Sequence, residues 1–197
     1  VNCARLLGVR RVSHLLLQLE TPIGAVTAYA LQARKAGVRV VLNAAPARVL
    51  PVGLLASVDV LIVNEGELAT VTGHRGSVAE CLALLDVPCV VVTLGARGCC
   101  ARQGGAFFLQ PGLTVQAIDT TAAGDTFCGV LAAALSRGEA LAAGLSLANA
   151  ASALACTRLG AQSSIPTRAQ VQAFLQDHAG VHSRQALEAL SVYCGIG

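Results

Sequence analysis

Hydrophobic positions along this chain follow two rhythms. Four short runs carry little polar alternation: "HLLLQL" at 14–19, "VRVVLN" at 38–43, "DVLIVN" at 59–64 and "CVVVTL" at 89–94. Continuous Val/Ile/Leu runs of this length predict strands buried on both faces, as in a parallel sheet. The segments between them carry helix signals. Pro22 suits the first turn of a helix running to about Ala36, where Gly37 stops it. Shorter helices fall around Glu67 and Ala79, and Pro46 and Pro51 keep the stretch between the second and third runs irregular.

The second half changes character. "GCCARQGGAFFLQP" places a Gly-Gly turn between two short apolar stretches and predicts a hairpin at the sheet edge. "VQAID" at 115–119 alternates like a further strand. Two Ala-rich helices follow, over Asp125–Arg137 and Glu139–Arg158, then the loop "GAQSSIP" and a last helix from Thr167 to His178. Strands alternating with helices predict an α/β fold of three α/β/α layers with a mainly parallel sheet. No internal repeat or linker interrupts it.

Composition narrows the class. Of 197 residues, 54% are hydrophobic and 13% charged, which excludes disorder and leaves enough apolar surface for a core. A net charge of +3 is too weak to argue for nucleic acid. The longest apolar region, Val130 to Ala155, is broken by Arg137, Glu139 and Asn149 and does not predict a membrane span. The N-terminus shows no clean signal-peptide pattern, so a cytoplasmic location is expected, and the absence of any methionine suggests a fragment. Eight cysteines include no C-x-x-C pair and no zinc spacing. Several sit in apolar runs, and they are expected to be reduced and structural.

The chemistry concentrates in "DTTAAGDTF" at 119–127, which leads into the first Ala-rich helix. The first N–H groups of a helix lack intrahelical partners and carry partial positive charge. Small residues at Ala122, Ala123 and Gly124 would let an anion approach those groups closely. Asp125, at the mouth of such a site, either accepts a proton from an attacking hydroxyl or caps the helix, with Gly124 permitting a tight turn. Neither a P-loop nor a G-x-G-x-x-G is present, so any nucleotide is held by other loops.

"VQAIDTTAAGDTFCGVLAAAL" resembles the C-terminal signature of the ribokinase-like (PfkB) sugar kinases. "LLLQLE", "LNAAPA", "NEGE" and "VVTLGARG" match further family segments in order, and "AASALACTRLGAQSSIP" is most like the ribokinase branch. The resemblance runs from about His14 to Phe174. It implies ATP-dependent phosphorylation of a sugar's primary hydroxyl, with ribose the expected acceptor and a fructokinase-like specificity the alternative within the family. Asp125 would be the general base, and Ala122, Ala123 and Gly124 the anion hole for the γ-phosphoryl group. Asn64 would lie near the phosphates, with Glu67 organising Mg²⁺ through water. Thr93, Leu94, Gly95, Ala96, Arg97 and Gly98 would border the nucleotide, with Asn149 near the adenosine. Glu20 would reach the sugar. Asp119 and Thr121, with Ala155, Arg158, Gly160 and Ser164, would surround K⁺.

Each position also has a plain structural alternative. Glu20 could be a solvated strand end, Asn64 and Glu67 an N-cap and first-turn acid, and 93–98 a turn into the hairpin. Asn149 could be a satisfied core amide, while Arg158 and Gly160 could end a helix. The chain also departs from the family pattern. The Gly-Gly sugar-binding segment and the β-lid, which in the ribokinase branch also forms the dimer, are expected to have no counterpart here. Ala45 and Gly66 replace the usual residues of two motifs. The expected organisation is a partial kinase domain over 1–178 followed by an unmatched tail at 179–197. Such a chain is expected to be inactive alone, or else a non-catalytic remnant that binds nucleotide or a partner.

Overall fold

A computed structural model describes residues 12–178 and 184–197 of the chain. Its elements are β1 (His14–Leu17), α1 (Ile23–Lys35), β2 (Arg39–Asn43), α2 (Val52–Leu55), β3 (Val60–Asn64), α3 (Glu65–Thr72), α4 (Val78–Ala83), β4 (Cys89–Thr93), a 3₁₀ turn at Gly95–Arg97, β5 (Gly98–Gln103), β6 (Ala106–Pro111), α5 (Ala123–Ser136), α6 (Leu141–Ala155), α7 (Arg168–Asp177) and α8 (Arg184–Cys194). The strands form a six-stranded, mainly parallel sheet in the order β1-β2-β3-β4-β5-β6, the expected α/β architecture.

The chain divides into two compact units. The first holds the chain up to Val92 together with Ala101–Phe107. Here β1 and β3 flank β2 in parallel, with Leu15 opposite Val40 and Leu42 opposite Leu61. The runs that predict β2, β3 and β4 are buried as expected: Val40, Val41, Leu42, Leu61, Ile62 and Val90 to Val92 are nearly inaccessible, and α1 adds Val26, Ala30 and Ala33. The run at 14–19 is not buried on both faces as predicted. Among the described residues β1 pairs only with β2, Leu16 is 40% exposed and the rest of the strand is half-buried, because an apolar run does not tell a central strand from an edge strand. Pro22 stands at the N-cap of α1, and Gly37, at φ 72°, follows its end.

The second unit holds Thr93–Cys100 and Phe108–Gly197. Helices α5 and α6 pack through small residues. A Cβ at Gly144 of α6 would stand 3.1 Å from Leu131 Cδ1 and 3.4 Å from Ala134 Cβ of α5. The other side of α6 joins Leu113 and α7, where Ala150, Ala151 and Val171 form a buried cluster backed by Phe174. The predicted hairpin is present. Gly104 and Gly105 connect β5 to β6 at φ 56° and 83°, the left-handed pair that a two-residue turn of this hand requires.

The predicted strand at "VQAID" does not form: 112–117 is irregular. Its alternation is genuine, but its backbone donors are committed elsewhere, since Ile118 N and Asp119 N both donate to the Cys156 carbonyl at the end of α6, at 2.8 and 3.2 Å. The segment at 179–197, expected as an unmatched tail, contains α8; its residues 179–183 lie outside the described residues. The seven described cysteines are free thiols, and Cys3 lies outside the described residues. Among the described residues no helix is long and apolar enough to cross a membrane.

Candidate active site

The start of α5 has an unusual backbone. Ala122, its N-cap, adopts φ 59° and ψ 10°, and it is the one non-glycine residue at positive φ among those described. A left-handed alanine costs about 1–2 kcal/mol. Left-handed Ala122 followed by right-handed Ala123 is the backbone pattern of a nest, which turns successive N–H groups toward one side. Ala123 N donates to the Thr120 carbonyl at 3.2 Å, and the first full helical turn closes with Thr126 N to the Ala122 carbonyl at 2.9 Å. The N–H groups of Ala122 and Gly124 have no partner among the described residues.

The positive φ therefore falls on Ala122, not on the tight-turn position anticipated at Gly124. Gly124 is exposed, and a Cβ there would meet nothing within 4 Å. Neither backbone nor neighbour demands glycine, although glycine costs about 1 kcal/mol inside a helix. Its absent side chain leaves the concavity open. Asp125, third in the helix, is exposed beside it.

Asp119 braces the loop before the nest. Its Oδ1 accepts from Thr121 N at 2.9 Å, and its Oδ2 accepts from Gly160 N at 3.0 Å. Thr121 first, then the Gly160 amide, holds the Asp119 carboxyl below its ordinary range. Gly160 sits at φ 95°. The cation set thus brings Asp119, Thr121 and Gly160 into direct contact. The Ala155 carbonyl accepts from Arg158 N at 3.2 Å, and the Ser164 hydroxyl donates to the Ala161 carbonyl at 2.8 Å. Both oxygens of the Asp119 carboxylate are thus engaged by backbone amides.

A cleft of about 360 Å³ in the same unit is lined by Gly95, Ala96, Gly112, Leu113, Thr120, Ala123, Asn149, Ser152 and Cys156, among others. Its size suits part of a nucleotide. It unites three segments singled out in the sequence: the 93–98 turn, the nest and Asn149. The turn is held tightly, with Leu94 N donating to the Gly98 carbonyl at 2.8 Å and Gly112 N to the Arg97 carbonyl at 2.8 Å. Gly98, at φ 103°, lies against the Gln110 carbonyl, where a Cβ has no room. Leu94 is buried, Thr93 ends β4, and Arg97 is exposed with its guanidinium 4.3 Å from the centre of the Tyr193 ring.

Asn149 is buried and donates through Nδ2 to the Pro111 carbonyl at 2.9 Å, so it is a satisfied amide that also lines the cleft. Ser152, which sequence patterns do not single out, donates to the Ala123 carbonyl at 3.0 Å and ties α6 to the nest. Its position one helical turn after Asn149 is the signal that would have found it. Gly112 is likewise unheralded, and a Cβ there would strike the Ala96 carbonyl.

In the first unit, Asn64 and Glu67 form a reciprocal cap on α3. Glu67 N donates to Asn64 Oδ1 at 2.8 Å, and Asn64 N donates to Glu67 Oε2 at 2.7 Å. The capping alternative is therefore realised. The cap engages Oε2 of a Glu67 that is itself buried. Among the described residues no group of three or more His, Cys, Asp or Glu side chains gathers to hold a metal directly. Glu20 is exposed just past the carboxyl end of β1, where open parallel sheets receive ligands.

A model of the pfkB family of carbohydrate kinases matches residues 4–168. The ribokinase of Haemophilus influenzae is 41% identical over 169 residues, which cover 82% of this chain and 55% of that protein. The crystal structure of a ribokinase from Thermotoga maritima matches with a TM-score of 0.78 at 33% identity, over 89% of this chain and 60% of that one. A ribokinase from Arabidopsis thaliana complexed with ribose and ATP matches with a TM-score of 0.77 at 34% identity, over 83% of this chain and 55% of that one. The chain spans about half the length of the curated relatives it matches.

Proposed function

This chain belongs to the pfkB family of carbohydrate kinases, and from that premise we propose that it supplies the nucleotide-binding and base-bearing part of an ATP-dependent sugar kinase whose acceptor is ribose. One observation carries the reading: strained Ala122 opens a nest of N–H donors beside an uncrowded Gly124, with a carboxylate, Asp125, one residue further on. A helix that only needed to begin would gain stability from a side-chain cap at its N-cap, and this one has none. The ribose and ATP bound by the Arabidopsis relative support the substrate pair.

In this reading the sugar's primary hydroxyl gives its proton to Asp125 as its oxygen bonds to the γ-phosphorus. The bond from that phosphorus to the bridging oxygen breaks, and ADP leaves. Charge gathering on the phosphoryl oxygens is met by the N–H groups of Ala122 and Gly124, fixed in advance and therefore effective in a dry site, while the Ala123 amide of the expected anion hole is bonded to the Thr120 carbonyl and shapes the loop between them. The nucleotide occupies the cleft bordered by residues 93–98 and Asn149. Glu67, near Asn64, would hold Mg²⁺ through water, and the ion would supply charge neutralisation at the phosphates. Asp119, Thr121 and Gly160 would border K⁺, which would offset the Asp119 charge and stiffen the loop without touching substrate. Glu20 holds the sugar.

Besides the base Asp125, Glu20 is the one sugar contact assigned within this chain. Positioning is worth roughly 7–11 kcal/mol of barrier, so the chain alone is proposed to bind nucleotide and turn over poorly. Full-length relatives are proposed to act as homodimers in the cytoplasm. The test is paired. Titration of Mg·ADP into the isolated chain should give saturable binding that Asp125→Asn preserves. In the complete protein the same substitution should lower ribose-dependent turnover by about 10²–10⁴-fold. Turnover near wild type with Asp125→Asn would leave that residue as a helix-end acid.

A further inference from the structure

Helix α8 lies beyond the family match, which ends at residue 168, yet it is not a free appendage. Its apolar positions Leu187, Leu190 and Cys194 recur at helical spacing, and Leu190 and Cys194 are buried. The Cys194 thiol lies beside that of Cys100 on β5, and Cys99 and Cys100 are themselves inaccessible. One residue before Cys194, the Tyr193 ring lies under the Arg97 guanidinium, 4.3 Å from its centroid. Arg97 closes the 3₁₀ turn whose other members, Gly95 and Ala96, line the 360 Å³ cleft.

We propose that Tyr193 is a positioning residue: stacked beneath Arg97, and anchored by buried Leu190 and Cys194, it holds the Gly95–Arg97 turn in the shape that lines the nucleotide cleft. The proposal rests on the reading of that cleft as the adenine-nucleotide site. Its physical basis is local. The turn's backbone bonds hold its two ends, at Leu94 with Gly98 and at Arg97 with Gly112, while Gly95 and Ala96 between them have little side chain to pack. A cation resting on an aromatic face adds a side-chain restraint to those backbone bonds. The ring is the part that matters, because the guanidinium interacts with the π face and not with the phenol oxygen.

The experiment compares the intact chain with Tyr193→Ala, Tyr193→Leu and Tyr193→Phe. Hydrogen exchange at the Arg97 and Gly112 amides and Mg·ADP affinity are both read. Loss of the stack should speed exchange at those amides by about two- to fivefold and weaken ADP binding by a similar factor. Tyr193→Phe should restore both, and Tyr193→Leu, which keeps apolar bulk, should not. Unchanged exchange in Tyr193→Ala, or full rescue by Leu, would overturn the proposal. If the wild-type chain does not bind ADP, the nucleotide reading of the cleft fails, and the exchange arm still decides whether Tyr193 positions the turn.

Discussion

Asp119 Oδ2 accepts a hydrogen bond from the Gly160 amide at 3.0 Å, joining two loops that lie forty-one residues apart. The same carboxylate accepts from Thr121 N, so one side chain fixes both the approach to the nest and the turn after α6. An acidic residue here need not contact phosphate to matter for phosphate binding: it sets the backbone that does.

The pH dependence of this brace follows from the lowered carboxyl pKa. A depressed folded value means the contribution is present above the unfolded pKa and is lost as pH falls through the folded one. Titration of the Asp119 carboxyl by NMR should give a midpoint below the ordinary 3.8, with Gly160 amide protection falling in the same acid range. Asp119→Asn should remove that acid-side change and weaken Gly160 protection at neutral pH, because an amide oxygen replaces only one of two acceptors. Gly160 exchange that ignores both pH and substitution would contradict the brace.

Asn149 satisfies the Pro111 carbonyl from within a buried stretch of α6. Asn149→Leu leaves that carbonyl without its donor and should cost about 1–3 kcal/mol. Chemical denaturation should show a lower midpoint with an unchanged slope. A midpoint equal to wild type would mean that water replaces the amide.

Thr126 presents the opposite case. Its hydroxyl is buried without a hydrogen-bond partner just inside α5. Removing an unsatisfied buried hydroxyl while keeping the side chain's shape should stabilise, so Thr126→Val should raise unfolding free energy by about 1 kcal/mol. A destabilised Thr126→Val would show that the hydroxyl is satisfied in solution.

Strands and hairpin were legible because their signals are local: β-branched runs for β2 to β4, and paired glycines for the β5–β6 turn. The segment at 115–119 was misleading for a physical reason. Alternation reports which side chains are apolar, not where the backbone donors go, and those of Ile118 and Asp119 go to the end of α6. The importance of "AAGD" was legible from its small residues, but the left-handed residue was not, since alanine gives no propensity for that conformation. The docking of α8 had a visible signal in Leu187, Leu190 and Cys194, whereas its contact with Arg97 depends on tertiary placement that no spacing encodes.

The central claim is that the start of α5 is an anion site kept open at Gly124, and Gly124→Ala tests it most directly. A Cβ there meets no protein atom, and alanine is the better helix former, so the variant should be more stable by up to about 1 kcal/mol. The same methyl group intrudes on the concavity where the terminal phosphate is proposed to sit. Calorimetric titration with a non-hydrolysable Mg·ATP analogue should therefore show affinity reduced at least about tenfold, equivalent to 1.4 kcal/mol, in a protein whose melting temperature has not fallen. Equal affinity for the analogue in Gly124→Ala and wild type would contradict the account.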